Sequence, residues 1–485
     1  MKKQTFIGRS KEITKLNKYA QSNQAEFVAI YGRRRVGKTY LVNNVFKKRL
    51  SFAMTGIIGG NRDSQLQAFV KGMNMCGISI KTPKSWFDAF STLQQYLASR
   101  IKEDEPCIIF IDELPCFETR KSKFVEALGH FWNSWASLHP EIMLIVCGSA
   151  TSWMMENVID SHGGLHNRIT HEIHLKEFCL AEVEEYLIDR GFQWDRMLML
   201  QTYMIMGGVP YYLSLLDKDL SLAQNIDTLF FSQDGEMYRE FYRLYKTLFT
   251  KSDPYISIIE ALFNKKKGLN RNEIAQATGM NANGRLTEML RNLVDCDIIR
   301  RYPIKQKTIS IRNSIYQLMD FFSFFYLQFL KGSINEPHYW TKNLHLPKIN
   351  TWMGLAFERV CMAHIEQIKH ALGIDYISAN YYSWRSVSNK EVLGNLSNAQ
   401  IDLVIERADR MTNICEAKYS EIPYIIDKNE YNKFVNRIAI FKQQTYYTGG
   451  IIPTFITSNE IVRNTYSERL GIRHISLDDL FKQAE

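Results

Sequence analysis

The sequence predicts an α/β protein in which a buried parallel sheet is followed by a helical lid, a compact helical unit and a second α/β domain. In the first half, short apolar runs alternate with helix-like patterns, which is typical of parallel strands covered on both faces. After about residue 175 these runs give way to amphipathic helical patterns, and a mixed α/β pattern returns near residue 335. The predicted strands of the first sheet are 27–31, 107–111 and 142–147. The predicted domains are 1–174, 175–246, 247–334 and 335–485.

Length and composition fit this multidomain interpretation. The 485 residues would make about three domains at roughly 150 residues each. An apolar fraction of 45% and a charged fraction of 23% are near the globular averages, which argues against disordered, collagen-like and coiled-coil proteins. The net charge of +9 permits contact with nucleic acid without requiring it.

The N-terminal residues and the cysteines argue against several other classes. The chain starts with two lysines close together but has no apolar stretch behind them of the kind found in a secretory signal. No run of about 18 apolar residues occurs either, and the longest candidate, 315–330, is interrupted by polar residues and is predicted to be a buried aromatic helix. The 8 cysteines include no C-x-x-C pair, which disfavours a zinc ribbon and a thioredoxin-like redox motif. We therefore expect a cytoplasmic protein without a membrane partner.

A glycine-rich segment after the first predicted strand has the pattern G-x-x-x-x-G-K-[ST] and precedes a helix-like stretch, which is the context that the pattern requires. Its glycines let backbone N–H groups turn toward phosphate oxygens at a helix N-terminus. Lys38 would reach the β- and γ-phosphates of a nucleotide, and Thr39 would hold Mg²⁺. The predicted nucleotide-binding residues here are Gly32, Arg33, Arg34, Arg35, Val36, Gly37, Lys38, Thr39 and Tyr40.

The ends of the other two predicted strands carry polar side chains that suit the same site. Asp112 closes one strand and would bind Mg²⁺ through water, while Glu113 would polarise the attacking water. Ser149 follows the other strand, at the sheet edge where a γ-phosphate would lie. The alternative for Ser149 is a plain polar turn.

Basic residues after the third strand have two interpretations each. Arg168 can neutralise transition-state charge in its own subunit or in a neighbouring one, and the alternative is a surface arginine. Four nearby histidines lack the cysteine or carboxylate spacing of a zinc site, so solvated loop and strand histidines are favoured. They are His162, His166, His171 and His174.

Together these segments resemble the archaeal-type P-loop ATPase family of the AAA+/STAND grouping over most of the first half. Two further motifs carry the resemblance, Phe6-Ile7-Gly8-Arg9 and Gly207-Gly208-Val209-Pro210. It implies that ATP and Mg²⁺ are cofactors, that Gly8 and Arg9 lie by the nucleotide base, and that Gly208 and Pro210 belong to a lid facing the nucleotide. The chain departs from the family at two places, with Gly-Ser-Ala at 148–150 instead of Gly-Ser-Ser and Leu-His-Asn-Arg at 165–168 instead of Leu-Tyr-Gly-Arg.

The middle unit has the outline of a winged helix. A capped helix at 269–275, a turn at Thr278-Gly279, a helix at 283–293 and a strand at 298–302 follow one another. The second helix has a polar face able to meet DNA, formed by Asn283, Arg285, Thr287 and Arg291. Because this face is not densely basic, the alternative is a winged helix used only for protein packing.

In the last third, an apolar strand at 412–415 is closed by Glu416 and Lys418 in the pattern E-x-K. A hairpin with the preceding strand would bring Asp402 next to Glu416. Two such carboxylates would bind Mg²⁺ or Mn²⁺, and Lys418 would orient the attacking hydroxide or stabilise the phosphorane charge. By itself E-x-K is a common chance pattern, and strand-end Glu and Lys normally face solvent.

A helix-like stretch from Gly354 offers a third carboxylate, Glu358. The order helix Glu, strand Asp, strand Glu-x-Lys resembles the PD-(D/E)xK nuclease superfamily over about 353–458, in the form often fused to archaeal-type ATPases. The resemblance implies a catalytic set of Glu358, Asp402, Glu416 and Lys418, with Ile401 where the superfamily name has proline. The alternative is a retained fold that only binds nucleic acid or protein.

Two other segments are candidates for contact with the same cleft or with nucleic acid. Gln443-Gln444, in the next helix-like stretch, would face the same cleft. For Trp384-Arg385, a packed tryptophan with a solvated arginine is favoured over stacking on nucleic acid.

The preferred hypothesis is an ATP-driven, DNA-associated protein with an N-terminal ATPase, a winged helix and a C-terminal metal-dependent nuclease. The main alternative is a nucleotide-dependent regulatory switch that binds DNA or protein through the winged helix and does not cleave. A third interpretation is a protein-interaction ATPase without a nucleic-acid role. The expected partners are ATP, DNA, and a second copy of the chain or a partner protein, with DNA and RNA left undistinguished.

Overall fold

The structure, a computed structural model, divides into two compact units, Met1–Glu177 with Leu290–Asp297, and Phe178–Met289 with Ile298–Glu485. The residues described are 6–102, 105–149, 151–160, 163–249, 251–266, 268–305, 309–332, 336, 338–386 and 399–483.

The first unit contains a five-stranded parallel sheet with strand order β2-β3-β4-β1-β5. The strands are β1 (Glu26–Tyr31), β2 (Leu50–Thr55), β3 (Cys107–Asp112), β4 (Ile142–Gly148) and β5 (His171–His174). The predicted parallel sheet is confirmed, because its three predicted strands lie side by side at the centre. Tyr31 pairs with Gly148, and Ile111 pairs with Val146. The carboxyl ends of β1, β3 and β4 therefore meet at one edge.

Helices and turns cover both faces of this sheet and bury two apolar clusters. One cluster centres on Trp86, which packs edge-on against Phe117 and Phe124 with ring centroids 5.4 and 4.7 Å away. Polar side chains fix where helices start: Asn61 accepts from the Ser64 N–H and Ser85 from the Asp88 N–H. The helices are α1 (Ser10–Tyr19), α2 (Lys38–Phe46), α3 (Arg62–Met75), α4 (Trp86–Ala98), α5 (Phe124–Ser134) and α6 (Thr151–Met154), with short helical turns at Leu114–Phe117, Ala136–Leu138 and Met155–Ile159.

The second unit begins with helices, as the sequence predicts for 175–246. Pro210 occupies the first position of its helix, where its missing N–H costs no hydrogen bond. The helices up to the middle sheet are α7 (Leu180–Asp189), α8 (Arg196–Met206), α9 (Pro210–Ser214), α10 (Leu222–Ile226), a turn at Asp227–Phe231, α11 (Glu240–Leu248) and α12 (Ser252–Asn264).

The middle segment contains a helix pair and a three-stranded antiparallel sheet of order β6-β8-β7. Asn270 and Glu273 form a capping box that starts the first helix, and Gly279 ends it at φ 69°. The elements are β6 (Leu269–Asn270), α13 (Arg271–Thr278), α14 (Gly284–Asp295), β7 (Ile299–Lys305) and β8 (Ile309–Leu318). The predicted order of helix, turn, helix and strand is present, while the identification as a winged helix stays a prediction.

An aromatic helix follows this sheet. The sequence predicts one helix over Ile315–Leu330, but the structure continues the strand to Leu318 and starts the helix at Phe321. Asp320 sets this boundary because its side chain accepts a hydrogen bond from the Ser323 N–H at 2.7 Å. Apolar character alone does not distinguish a buried strand from a buried helix.

The C-terminal sheet has five strands in the order β13-β12-β11-β10-β9. Strand β10 is antiparallel to β9 and β11, whereas β12 is parallel to β11 and β13. The strands are β9 (Ala379–Arg385), β10 (Gln400–Arg407), β11 (Met411–Lys418), β12 (Gly450–Thr457) and β13 (Arg473–Ile475). The helices are α15 (Phe321–Phe329), α16 (Tyr339–Asn343), α17 (Pro347–Ala363), α18 (Ile365–Ala371), α19 (Lys428–Thr445), α20 (Thr465–Leu470) and α21 (Leu477–Leu480).

The middle and C-terminal sheets share one apolar core. Tyr302 and Ile315 from the middle sheet belong to the same buried cluster as Tyr382 and Trp384 of β9. Arg300 of β7 donates a hydrogen bond to the Ser383 hydroxyl at 2.6 Å. The predicted domains on either side of residue 335 are therefore packed together, and the predicted boundary itself stays a prediction. No described helix is long and apolar enough to cross a membrane.

Candidate functional site

The glycine-rich segment forms the phosphate loop, residues 32–37, between the end of β1 and the start of α2. Gly32 and Gly37 have φ values of 137° and 93°, in the region that favours glycine. A side chain at Gly32 would meet the backbone of Leu175, whose carbonyl carbon would lie 3.2 Å from the added Cβ. Both glycines are therefore needed for the shape of the loop.

Lys38 lies inside this loop and is 6% exposed. Its Nζ donates hydrogen bonds to the carbonyl oxygens of Gly32 and Arg33 at 2.8 and 2.9 Å. Burial lowers the pKa of Lys38, and the carboxylates of Glu113 and Asp112 oppose that shift. A phosphate placed here would give the ammonium group a charged partner in a low-dielectric site.

The predicted magnesium-binding side chains contact each other. The Thr39 hydroxyl donates to Asp112 Oδ2 at 2.8 Å, and the Glu113 N–H donates to Oδ1 at 3.0 Å. Burial raises the pKa of Asp112, while the hydrogen bond from Thr39 acts in the opposite direction. A hydroxyl and a carboxylate at this distance are hard oxygen donors, so this pair fits Mg²⁺.

Glu113 and Ser149 are also joined. The Ser149 hydroxyl donates to Glu113 Oε2 at 2.8 Å, and Glu113 has a left-handed backbone with φ 49°. The sequence predicts separate roles for these residues, and the structure brings them together at the carboxyl edge of the sheet. Ser149 can thus hold the Glu113 carboxylate in one orientation.

The segment at the start of the chain supports the loop from the side. Arg9 is 5% exposed, and it donates to the carbonyl oxygens of Val36 at 3.2 Å and Lys176 at 2.6 Å. The neighbouring Phe6 stacks on Tyr40 with ring centroids 5.5 Å apart. Arg9 therefore fixes the loop backbone, and its predicted position by the nucleotide base stays a prediction.

The three arginines of the loop differ in their surroundings. Arg33 is 2% exposed and forms an ion pair with Glu177 at 3.6 Å, which indicates a structural role for its guanidinium. Arg34 and Arg35 are half-buried, and Arg35 has a left-handed backbone with φ 71°. Nucleotide contact by these side chains stays a prediction.

The structure does not bring Arg168 to the phosphate loop of its own chain. Arg168 is exposed and lines a surface cavity with Asn23, Gln24 and Pro140, residues that precede β1 and β4. Strands of a parallel sheet begin at this edge, whereas the phosphate loop lies where they end. The role of Arg168 in transition-state charge, in its own subunit or in a neighbouring one, stays a prediction.

The histidines near Arg168 have structural partners. His171 pairs with Glu26 at 3.3 Å and stacks on Tyr19, and His174 pairs with Asp297 at 2.8 Å. Both side chains remain partly exposed, and each also has a neighbouring side chain as a partner. His162 lies outside the described residues. Within the described ranges, no three His, Cys, Asp or Glu side chains are grouped so as to hold a metal ion.

Gly208 and Pro210 lie in the second unit. Gly208 accepts a hydrogen bond from the Phe178 N–H at 2.8 Å, and an added Cβ would lie 2.8 Å from the carbonyl carbon of Phe178. The structure thus gives Gly208 a packing role within this unit. The predicted contact of both residues with nucleotide stays a prediction.

The polar face predicted to meet DNA is partly occupied by internal contacts. The Asn283 side chain accepts from the Leu286 N–H at 3.3 Å, and the Thr287 hydroxyl accepts from Arg271 at 3.0 Å. Arg291 forms an ion pair with Glu156. Arg285, by contrast, is exposed.

A second site lies in the C-terminal part, in a cavity of about 440 Å³. All four residues implied by the nuclease resemblance line it, together with five others. They come from helix α17 and from paired strands β10 and β11, where Leu403 opposite Cys415 puts Asp402 opposite Glu416. The lining residues are Lys266, Leu355, Glu358, Gln400, Asp402, Glu416, Ala417, Lys418 and Arg437.

The carboxylates in this cavity are close enough to affect one another. Asp402 Oδ2 accepts from the Ala417 N–H at 3.1 Å. Burial raises the pKa of Asp402 well above its usual value, and the negative charges of Glu416 and Glu358 raise it further. A cation placed among these groups would therefore be stabilised.

The lysine of the E-x-K pattern is held between two carboxylates. Lys418 Nζ lies 2.8 Å from Glu416 Oε1 and 3.1 Å from Glu430 Oε1. Burial disfavours its charge, but Glu416 and Glu430 outweigh this effect, so the pKa of Lys418 is raised. Lys418 is therefore a permanent cation at this site.

Glu416 is fully engaged in ion pairs. It is 4% exposed, and Lys418 contacts Oε1 while Arg437 contacts Oε2. Carboxylate oxygens from Asp402 and Glu416 suit Mg²⁺ or Mn²⁺ by donor chemistry. A metal ion at Glu416 would have to displace one of these two cations.

Sequence reasoning missed Lys266, Glu430 and Arg437. A signal existed only for Arg437, which follows buried Phe434 by three positions and precedes buried Phe441 by four. A charge on the apolar face of a helix usually has a buried partner. Lys266 and Glu430 belong to ordinary polar stretches of the sequence and reach the site through long-range packing.

The remaining predicted residues do not line this cavity. Gln443 and Gln444 are absent from its wall. Trp384 is 4% exposed and packs against Phe441 with ring centroids 5.2 Å apart, which confirms the interpretation as a packed tryptophan. Arg385 forms an ion pair with Glu273 at 3.6 Å and is not simply solvated.

Comparison with known proteins gives a family match for the N-terminal part. Residues 6–216 match a family described as an ATPase domain predominantly from Archaea. An uncharacterized protein of Methanocaldococcus jannaschii is 24% identical over 360 residues, which cover 73% of this chain and 76% of that protein.

Solved structures are similar at the level of the fold. The Walker-type ATPase of Pyrococcus abyssi is 18% identical with a TM-score of 0.50, and the match covers 67% of this chain and 97% of that one. The ORC2 protein of Aeropyrum pernix, solved as ADPNP and ADP complexes, is 14% identical with a TM-score of 0.39, covering 74% and 95%.

The parallel sheet, the folded phosphate loop and the family match all concern the same part of the chain. The Thr39–Asp112 and Ser149–Glu113 hydrogen bonds lie at the carboxyl edge of the same sheet. Residues 6–216 are therefore an ATPase domain of the archaeal P-loop type.

Proposed function

We propose that this chain binds and hydrolyses ATP at its phosphate loop and acts on DNA, whose phosphodiester bonds it cleaves in the C-terminal cavity with a divalent metal ion. The observation that carries the nuclease part is the meeting of Glu358, Asp402, Glu416 and Lys418 in one cavity. These residues come from helix α17 and from the two strands of a hairpin that follows later in the chain.

At the ATP site, Lys38 would exchange its two loop carbonyls for phosphate oxygens. Bound Mg²⁺, held by Thr39 and through water by Asp112, would neutralise charge on the phosphates. Glu113 would accept a proton from the attacking water at Oε1, since Ser149 already donates to Oε2. The buried position of Lys38 strengthens its attraction to phosphate.

At the C-terminal site, a metal ion bound by Asp402 and Glu416 would polarise the scissile phosphate and activate water. Lys418, whose Nζ lies 2.8 Å from Glu416 Oε1, would stabilise the negative charge that develops on phosphorus. Glu358 adds a further negative charge to the same cavity.

A second candidate function is a nucleotide-dependent regulatory switch that binds DNA or protein without cleaving. The observation in its favour is that both oxygens of Glu416 are paired with cations, Arg437 and Lys418. In that case the cavity is a binding surface, and the exposed Arg285 belongs to a contact with DNA.

Cleavage of plasmid and of linear single- and double-stranded DNA tests the nuclease, with Mg²⁺ or Mn²⁺ and with or without ATP. We expect cleavage by the unaltered chain and its loss in Lys418→Ala. The control is Lys428→Ala, which removes an exposed lysine from the same part of the chain. Absence of cleavage under every condition, with ATPase activity retained, would favour the switch.

ATP turnover has its own pair of variants. Lys38→Ala should abolish phosphate release, whereas Lys48→Ala, at an exposed position after the same helix, should retain it.

DNA binding should weaken steeply as salt rises, because phosphate contacts release counterions. Binding that does not change with salt would exclude a role for DNA backbone contacts.

We also propose that Arg168 serves the ATP site of a neighbouring copy or partner protein, since it is exposed at the opposite edge of the sheet. Lys38→Ala and Arg168→Ala would each be inactive alone. A mixture of the two should recover part of the ATPase activity, because one kind of interface would hold an intact loop and an intact arginine. No recovery on mixing would contradict this role.

A further inference from the structure

The C-terminal cavity receives a lysine from outside the predicted nuclease domain. Lys266 follows helix α12 and precedes β6, in the middle segment, yet it lines the cavity beside Glu358 and Asp402. Its carbonyl oxygen accepts a hydrogen bond from Gln317 Nε2 at 2.9 Å, which fixes the backbone at this point. The middle segment thus supplies part of the wall of the site.

Lys266 differs from Lys418 in its electrostatic surroundings. In the part of the chain that the structure describes, no carboxylate lies within ion-pair distance of the Lys266 ammonium group, which lies 6.0 Å from the centre of the Phe263 ring. Burial lowers the pKa of Lys266, and the positive charges of Arg359 and Lys348 lower it further. A bound anion would relieve this repulsion.

A second cation enters the cavity from helix α19. Arg437 lies on the face of the helix that carries buried Phe434 and Phe441, and it contacts Glu416 Oε2. A guanidinium group binds phosphate as readily as carboxylate, often through two parallel hydrogen bonds. Arg437 can therefore move from Glu416 to a phosphate without losing a charged partner.

We propose that Lys266 and Arg437 form a phosphate-binding subsite that holds the backbone of a nucleic-acid strand across the carboxylate cluster. On this proposal the site is composite, because Lys266 belongs to the middle segment and Arg437 to the C-terminal one. Transfer of Arg437 to the phosphate frees Glu416 Oε2 when the strand is bound. This inference rests on the proposed function for its substrate class.

The size and charge of the cavity favour one nucleotide unit of a chain over a larger acidic ligand. Its volume of about 440 Å³ is at the lower end of small-ligand sites, which run from about 300 to 1,000 Å³. The carboxylates in the same cavity would repel an acidic peptide along its length. In a phosphodiester strand, uncharged sugars and bases separate the singly charged phosphates. One phosphate can therefore contact Lys266 and Arg437 while the neighbouring sugars and bases lie away from the carboxylates.

Binding of a short fluorescent oligonucleotide to the full chain, in EDTA and over a range of KCl concentrations, tests the subsite without cleavage. We expect Lys266→Ala to weaken binding about five- to tenfold and to reduce the slope of log K against log[KCl] by about one. The matched control is Lys265→Ala, which removes the same charge at an exposed neighbouring position. It should change binding less than about twofold.

Arg437→Gln should weaken binding similarly, and Lys433→Gln, exposed on the same helix, is its control. Lys266→Arg, unlike Lys266→Ala, should retain most of the affinity of the unaltered chain, since it keeps the positive charge. Competition by inorganic phosphate and by a mononucleotide distinguishes free phosphate from strand binding. Stronger competition by the oligonucleotide than by either small anion supports a strand subsite, and equal competition overturns it.

The outcomes separate this inference from the proposed nuclease. Equal binding by Lys266→Ala and Lys265→Ala overturns the subsite even if the chain cleaves DNA. A selective loss in Lys266→Ala and Arg437→Gln supports it even if no metal produces cleavage. Where cleavage occurs, Lys266→Ala should raise KM more than it lowers kcat, and an effect on kcat alone would overturn a binding role. Unchanged thermal unfolding of the variants shows that they are folded.

Discussion

Replacing Gly208 by alanine should destabilise the second unit whether or not nucleotide is present. The added Cβ would lie 2.8 Å from the carbonyl carbon and 2.9 Å from the nitrogen of Phe178, and closer still to the carbonyl oxygen. Real side chains do not approach backbone atoms so closely, so one of the two segments must shift. The hydrogen bond from the Phe178 N–H to the Gly208 carbonyl, 2.8 Å long, would be lost with that shift.

The cost follows from these two contacts. Overpacking against backbone costs about 1–3 kcal/mol, and a lost backbone hydrogen bond adds about 1 kcal/mol. We therefore expect the free energy of unfolding to fall by about 3 kcal/mol, which lowers the unfolding midpoint by about 5 °C in a unit of about 300 residues. Differential scanning calorimetry of the nucleotide-free protein measures the midpoint.

A second glycine provides the control for the same chemical change. Gly354, within helix α17, has no atom within 4 Å of an added Cβ and no positive φ. Gly354→Ala should stabilise the chain by about 0.5–1 kcal/mol, because alanine favours the helix. If Gly208→Ala unfolds at the same temperature as the unaltered chain and only weakens ATP binding, the packing argument is wrong and the residue acts on nucleotide.

Three further changes test other contacts. Thr39→Val removes the hydroxyl bound to Asp112 and should slow phosphate release at saturating Mg²⁺ by at least about tenfold, whereas Thr14→Val, exposed on α1, should not. Burial lowers the pKa of His364 to about 4 from 6.5, so the unfolded chain binds more protons between these values. Stability should fall by about 2 kcal/mol from pH 8 to pH 5 in urea unfolding, and His364→Gln should lose this component. Tyr302→Ala should cost about 3 kcal/mol and increase hydrogen exchange in β9, although β9 is distant in sequence.

Each of the three has an outcome that contradicts its reasoning. Equal rates of phosphate release by Thr39→Val and Thr14→Val would mean that the Thr39 hydroxyl is not needed for hydrolysis. An unchanged pH dependence in His364→Gln would assign it to other groups. If hydrogen exchange in Tyr302→Ala increases only in the middle sheet and not in β9, the two sheets open independently.

Local sequence patterns predicted the elements whose burial is uniform. Strand β3 is buried at every position, so its unbroken apolar run was sufficient. Strand β2 was missed because only two of its six positions are buried, and β5 because it has only four residues, two of them histidine. The helix at Phe321 was placed too early because aromatic residues fill both the end of the preceding strand and the helix.

The two sites differ in how far the sequence could predict them. The phosphate loop is contiguous, so one motif identified Lys38 and Thr39 together with the shape of their backbone. The cavity around Glu416 is assembled from a loop, two helices and a hairpin. A pattern of four residues identified its carboxylates, but the cations that neutralise them come from elsewhere in the chain and have no local signature.

The shared core of the middle and C-terminal sheets has a consequence for dissecting the protein. A fragment beginning at residue 335 would expose Trp384 and Tyr382 to water where Tyr302 and Ile315 now cover them. Such a piece should aggregate or melt early, and its failure to act would say little about its chemistry. Expression vectors for the isolated C-terminal part should therefore begin before Lys266, so that the strands of the middle sheet, this lysine and the carboxylates are produced on one polypeptide.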